Sequence, residues 1–279
     1  MKTNRMRLHA GRTLSLAALS ALLVLMLFPF FIVFINAFKT AGDYAQNGPL
    51  AMPETWTAAA IKAFWNRVKF GGKLWNSFYI SASVAVLASA LSMLNSFALG
   101  IGKIKGAVGI LILFVVANTL PQEVLVYPLY YLAKSLGIYD RQLAVIIIFT
   151  VVQSAFGTYL LSSAYSAFPR ELIEAATVDG CSKTELLVNI VAPMSKATIS
   201  VLFTFFFLWT WNEFFIPLIM LVSNSRQTVP IAISVTQGQH NMDATMASAS
   251  ALLGILPCIV FFILFQRTLS RGITAGAIK

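Results

Sequence analysis

No charged residue occurs between Thr13 and Phe38 or between Leu74 and Gly102. A third run starts at Gly106 and stays uncharged to Gln122, with Glu123 just beyond it. A fourth lies within Gln142 to Pro169. A fifth reaches from Ala197 to Ser225, interrupted by Glu213, and a sixth from Ala244 to Gln266. A helix needs about 20 mostly apolar residues to cross a bilayer, so each run predicts a transmembrane helix. Barrel strands would alternate over about ten residues, and runs of this length do not. The pattern predicts an all-α membrane protein with six transmembrane helices and both termini on one side. The first run exceeds the 7–15-residue core of a signal peptide, and no small-x-small cleavage site follows it. It is expected to be a retained anchor.

Composition agrees with the pattern. The chain of 279 residues is 58% hydrophobic and 11% charged, with mean hydropathy +0.79. Soluble domains carry about 25% charged residues, so lipid is the expected surroundings. The net charge of +10 does not point to nucleic acid, because the basic residues sit between apolar runs rather than on one polar face. With the N-terminus placed in the cytoplasm, twelve Lys and Arg fall inside and eight outside. Five of those eight lie in one long loop, Lys39 to Lys73, where charge steers orientation less.

Polar residues at membrane depth are costly and are candidates for function. They are Asn95, Asn118, Gln122, Glu123, Gln153, Asn212 and Glu213, with Glu213 next to the Trp211-Asn212 pair. Asn118, Gln122, Trp211, Asn212 and Glu213 form a candidate translocation path; bonding between neighbouring helices accounts for the same residues. Pro121 marks an expected kink beside Gln122 and Glu123. Small residues recur at Ser81, Ala85 and Ser89 and at Ala247 and Ala251, a spacing that lets backbones approach. Cys181 and Cys258 are far apart, and His9 and His240 are isolated, so no disulfide framework, metal site or haem site is expected. No phosphate loop is present: Gly71-Gly72-Lys73 lacks the first Gly and the Ser/Thr of GxxxxGK[ST]. No nucleophile–base set suggests an enzyme.

The segment between the fourth and fifth runs, 168–193, reads as two short helices. Pro169 suits a helix start, and Glu171 and Glu174 lie near its positive end. Gly180 suits a left-handed helix end, and Ser182 with Glu185 has capping-box spacing. Leu186, Leu187 and Ile190 continue an apolar stripe, and Pro193 closes it. The paired Ala175 and Ala176 would let a partner surface approach closely; a plain connector between two spans fits the same signals.

Glu174-Ala175-Ala176, Asp179-Gly180, Ile190 and Pro193 resemble, in type and spacing, the EAA loop of ABC importer permeases. Asn76-Ser77, Tyr127-Pro128-Leu129-Tyr130 with Leu136-Gly137, Trp211-Asn212-Glu213, Thr228-Val229-Pro230 and the terminus Gly272-Ile-Thr-Ala-Gly-Ala-Ile-Lys279 are similar to stretches of the shorter, second permease of maltose-type importers. Two departures occur: Ser96-Phe97-Ala98-Leu99-Gly100 where an "AYALAR"-like stretch is usual, and Cys181 where Ala often follows Asp-Gly.

The resemblance implies a type I ABC importer permease fold. It divides the chain into 1–70 (cytoplasmic N-terminus, first helix and outer loop), a core at 71–266, and a cytoplasmic tail at 267–279. Loop 168–193 would be the coupling loop that docks on an ATPase, with Gly272, Thr274, Ala275 and Gly276 near the ATPase dimer. The implied partners are a second, non-identical permease, an ATPase dimer carrying ATP-Mg, and an extracytoplasmic solute-binding protein. This chain would hold no cofactor. Its place would be a bacterial or archaeal cytoplasmic membrane and its solute a carbohydrate. Alternatives are a permease for a phosphorylated polyol or a peptide, an ion-coupled carrier, in which the EAA-like loop has no role, and a structural membrane scaffold.

Overall fold

The computed structural model describes residues 2–102, 104–237 and 243–277, and side chains except at 1–11, 14, 236–237 and 267–277. Among the described residues every regular element is helical. The chain folds as two compact units, residues 1–69 with 233–256 and residues 70–232 with 257–279.

In the first unit, α1 (Lys2–Ala37) carries the first apolar run. Only 6% of an apolar 18-residue stretch within Ser15–Ala37 is buried by this chain. Leu19, Leu23, Leu27 and Phe31 point outward, as expected for a helix meeting lipid or another subunit. The chain then folds back through α2 (Ala41–Asn47) and α3 (Ala59–Val68). This loop is tied by its own polar groups. Thr40 caps α2 by accepting from Asp43 N at 3.1 Å. Asp43 accepts from Asn47 Nδ2 at 2.9 Å and from Glu54 N at 3.0 Å. Lys39, fully buried, donates to Gly48 O at 2.8 Å. Ala37, Ala60 and Ala249 pack together with Phe38, Ile61 and Leu252 around them.

The second unit is built on α4 (Phe70–Ser96, continued by a π-turn at Phe97–Ile101) and α7 (Gln142–Ser166). Ser92 Oγ meets Ser154 O at 3.3 Å, and Ser96 Oγ donates to Thr158 O at 2.9 Å. Both pairs are 62 residues apart, so the two helices run parallel in one register. The seam is lined by small residues: Ser81, Ala85, Ala88, Ser89, Ser92 and Ser96 are buried on α4. Gly157 completes it, since a Cβ there would lie 2.2 Å from Ser92 Oγ and 2.8 Å from Phe206 Cζ. The spacing noted at Ser81, Ala85 and Ser89 is therefore the start of a close-packed face. Close packing holds helices together where lipid removes the hydrophobic drive.

α10 (Lys196–Asn212) packs beside α4 through Phe207, whose ring lies 6.1 Å from Phe78 and 4.2 Å from Phe261. Among the described residues, four helices are long and apolar enough to cross a membrane. Two bent pairs raise the number to six if each is one span: α5 (Ala107–Thr119) with α6 (Gln122–Ser135) at 97°, and α9 (Lys183–Met194) with α10 at 81°. The third run is thus broken at Leu120-Pro121, where Pro121 lacks the N–H to continue the helix. The fifth breaks at Glu213-Phe214, before α11 (Phe215–Met220). The chain continues through α12 (Val229–Gln237) into α13 (Ala244–Ala277).

Candidate functional sites: the Arg170–Met194 loop and a polar cavity

α8 (Arg170–Val178) follows Pro169, which has φ −57° and ψ 120° and stands just outside the helix. The helix ends where Gly180 takes φ +81°. Cys181 N then donates to Ala176 O at 3.0 Å and Gly180 N to Thr177 O at 3.1 Å. These are the two bonds of a Schellman ending, which closes only if the residue at Gly180 is left-handed. Ser182 opens α9 with a full capping box: its Oγ accepts from Glu185 N at 3.3 Å, and Ser182 N donates to Glu185 Oε2 at 2.7 Å. The Ser182 N–H holds the Glu185 carboxyl below its ordinary pKa.

α9 carries a π-turn over Leu186–Val191. Pro193 follows within the helix instead of ending it, and the chain turns at Ser195. A proline ring collides with the carbonyl four residues earlier, and a widened turn before it relieves that clash.

Most residues of this segment are exposed. Glu174, Ala175, Asp179, Gly180 and Pro193 are exposed, and Ile190 is half-buried. The two alanines divide: Ala175 faces out, whereas Ala176 is buried. One alanine, not the expected pair, is left for a close approach. Sequence spacing did not flag Val178, 87% exposed, or Val188 and Met194, exposed apolar residues on the same two helices.

The opposite end of the unit is closed by polar ties. Lys73, buried, donates to the carbonyl and side-chain oxygens of Asn224. Asn76 Nδ2 donates to Ser225 O at 2.8 Å and Gln227 O at 3.0 Å, and Val229 N donates to Ser77 Oγ at 2.9 Å. Asp140 accepts from Ser223 N at 2.9 Å, from the Ser223 hydroxyl and from Arg226. Burial pushes the Asp140 carboxyl up, but the Ser223 bonds and the Arg226 charge outweigh it and the pKa is lowered.

Between the two ends, near the middle of α7, lies a cavity of about 390 Å³. Asn118, Gln122, Gln153, Trp209, Asn212 and Glu213 supply its polar and aromatic lining. Four of the five residues expected on the path meet here. Trp211 does not: it is 4% exposed and stacks on Phe207 at 5.9 Å and against Phe261 at 5.3 Å. On a helix, residues 208, 209, 212 and 213 share one face and 211 lies roughly opposite 209. Trp209 lines the cavity in its place. Gln153, noted in the sequence only as polar at depth, is the second addition. The tail residues Gly272, Thr274, Ala275 and Gly276 lie on the last turns of α13, and their side chains fall outside the described residues.

Residues 72–275 match the family profile "Binding-protein-dependent transport system inner membrane component". The chain is 27% identical over 270 residues to the sulfoquinovosyl glycerol transport system permease protein SmoH of Agrobacterium fabrum, covering 97% of this chain and 95% of that protein. It is 27% identical over 258 residues to the diacetylchitobiose uptake system permease protein DasC of Streptomyces coelicolor, covering 91% and 92%. Its fold matches a chain in the crystal structure of a bacterial ABC transporter involved in the import of the acidic polysaccharide alginate. The TM-score is 0.74, at 17% identity, over 91% of this chain and 94% of that one.

Proposed function

This chain belongs to the family of binding-protein-dependent transport system inner membrane components, and on that premise we propose that it is one permease of an ATP-driven carbohydrate importer. Its relatives' names support the solute class: one names the transport of sulfoquinovosyl glycerol and the other the uptake of diacetylchitobiose. The observation that carries the mechanical part is the Arg170–Met194 surface. A short helix ended at a left-handed Gly180 and restarted by a capping box is a stiff, exposed element with apolar residues at its tips. Such an element suits docking in a cleft of a partner ATPase.

In this reading the partners are an ATPase pair, a second, non-identical permease and an extracytoplasmic solute-binding protein. Both termini and the Arg170–Met194 loop face the cytoplasm. ATP-driven closure of the ATPases moves the docked loops, and the two-state packing of the spans converts that movement into outward and inward access. The tail from Gly272 to Gly276 lies near the ATPase pair. ATP-Mg is held by the ATPases and not by this chain. Glu213 alone would also suit an ion-coupled carrier, but such a carrier has no use for the exposed loop.

The test is purification of the tagged chain from its native membranes in mild detergent. An ATPase and a second permease should elute with it. With binding protein and ATP, the reconstituted complex should accumulate radiolabelled oligosaccharide. A chain that elutes alone, or that binds ATP at micromolar concentration by itself, would overturn the reading.

A further inference from the structure

The first half of α7 borders a second hollow, of about 330 Å³, and every residue lining it is aliphatic. On α6, Leu125, Leu129, Leu132 and Leu136 recur every three or four positions and so share one face. Ala144, Ile148 and Val151 do the same on α7. The two stripes are the walls of a groove. Leu132, Leu136, Ile147 and Val151 are exposed, so this chain does not fill the space between them.

Length and position suit a lipid chain. At about 1.5 Å per residue, Ala144 to Val152 covers about 12 Å of α7. The hydrocarbon of one leaflet is about 15 Å deep, half of a core of about 30 Å. The groove lies at the start of α7, and the Arg170–Met194 loop follows the end of that helix. It therefore belongs to the leaflet opposite the loop.

The rim suits a headgroup. Leu136 and Ile138 border the groove at the turn between α6 and α7. Tyrosines gather beside this turn: Tyr127 lies 4.9 Å from Tyr131, and Tyr130 lies 5.5 Å from Tyr131 and 5.0 Å from Tyr139. Tyrosine is enriched at the membrane–water interface. Lys134 Nζ stands 4.7 Å from the centre of the Tyr130 ring and 5.4 Å from that of Tyr139. The rings hold the ammonium in place and neutralise none of its charge. Arg141 is a second exposed cation at the turn. The carboxylate of Asp140 is bonded to Ser223 and to Arg226. Positive charge thus exceeds negative at the rim. Basic pockets between spanning helices suit anionic lipid headgroups.

We propose that this groove is a binding site for an anionic phospholipid, with one acyl chain between the α6 and α7 stripes and the phosphate at Lys134 and Arg141. A free anion would gain nothing from the aliphatic walls, and a partner's apolar helix would bring no anion to the cations. The site depends on neither the solute nor the ATPase.

The test is native mass spectrometry of the tagged chain, with the subunits it retains, purified in mild detergent and stripped of lipid. The probes are dioleoyl phosphatidylglycerol and dioleoyl phosphatidylcholine. For the tightest-bound lipid, the wild type should prefer phosphatidylglycerol at least fivefold. Lys134→Gln should lower the affinity for phosphatidylglycerol about fivefold, the worth of one cation near a lipid surface, and leave phosphatidylcholine unchanged. Val151→Trp, at an exposed position, should fill the groove and weaken both lipids at least tenfold, the burial of about two methylenes. Ile147→Trp, also exposed, supplies the same comparison if Val151→Trp does not fold. Equal affinity of the wild type for the two lipids, an unchanged preference in Lys134→Gln, or unchanged binding in the filled variants would each overturn the site. Release of a partner subunit by a filled variant, with this chain still folded, would assign the groove to a protein helix and overturn it as well.

Discussion

In the Arg170–Met194 segment every bond that shapes the exposed turn closes within five residues: Cys181 to Ala176, Gly180 to Thr177, Glu185 to Ser182. The cavity around Gln153 draws its lining from positions 118 to 213 on four helices. The first region holds its form by local chemistry and leaves its surface free. The second exists only where α5, α6, α7 and α10 meet. The Arg170–Met194 segment is nonetheless carried between α7 and α10, so damage to the seam of α4, α7 and α10 should abolish both, whereas damage to the turn should spare the cavity.

The largest effect is expected at the seam. Gly157→Val places a side chain where a Cβ alone would already lie 2.2 Å from Ser92 Oγ. Overpacking of this kind costs about 1–3 kcal/mol, and here both neighbours are themselves buried. Thermal unfolding in detergent should shift down by several degrees, with loss of ATPase binding and sugar binding together. Retention of either at wild-type level would show that the two regions do not share this support.

Next comes the turn. Nothing lies within 4 Å of a Cβ at Gly180, so the cost of Gly180→Val is backbone strain from φ +81°, about 1–2 kcal/mol. That is a factor of roughly 5–30 in an equilibrium. ATPase retention should fall by that factor while sugar binding and insertion stay unchanged. Gly180→Asn should recover part of it, because Asn tolerates the left-handed region. Equal behaviour of Val and Asn would remove strain as the cause.

The smallest effect concerns the tie at the other end. The Asp140 pKa is lowered in the fold, so its contribution is full above the ordinary aspartate value near 3.9 and is lost as pH falls through the folded value. Arg226 is 45% exposed, so the gain is under about 1 kcal/mol. Thermal unfolding followed from pH 7 down to about 3.5 should fall more steeply in the wild type than in Asp140→Asn. Parallel curves would mean that the carboxylate contributes nothing.

The same division explains what the sequence disclosed. Apolar runs report directly on lipid, so the four long helices and the two shorter, bent ones were legible, as were Gly180 and the Ser182–Glu185 box. Partners at separations of 62 or 151, such as Ser96 with Thr158 or Asn76 with Gln227, leave no local trace. Trp209 and Trp211 are two positions apart and read alike as a pair of aromatics, yet the helix turns one toward the cavity and the other into a ring cluster. Ala175 and Ala176 part in the same manner.

Cys181 offers the most direct measurement of the central claim, that the Arg170–Met194 surface docks on an ATPase at the cytoplasmic face. It is an exposed free thiol beside Gly180 in the native chain, and the other cysteine, Cys258, is only partly exposed. An impermeant maleimide should label Cys181 in inside-out vesicles stripped of peripheral proteins and not in right-side-out ones. Rebinding the ATPase should slow that labelling at least tenfold. Labelling from the outer side, or a rate indifferent to the bound ATPase, would contradict the account.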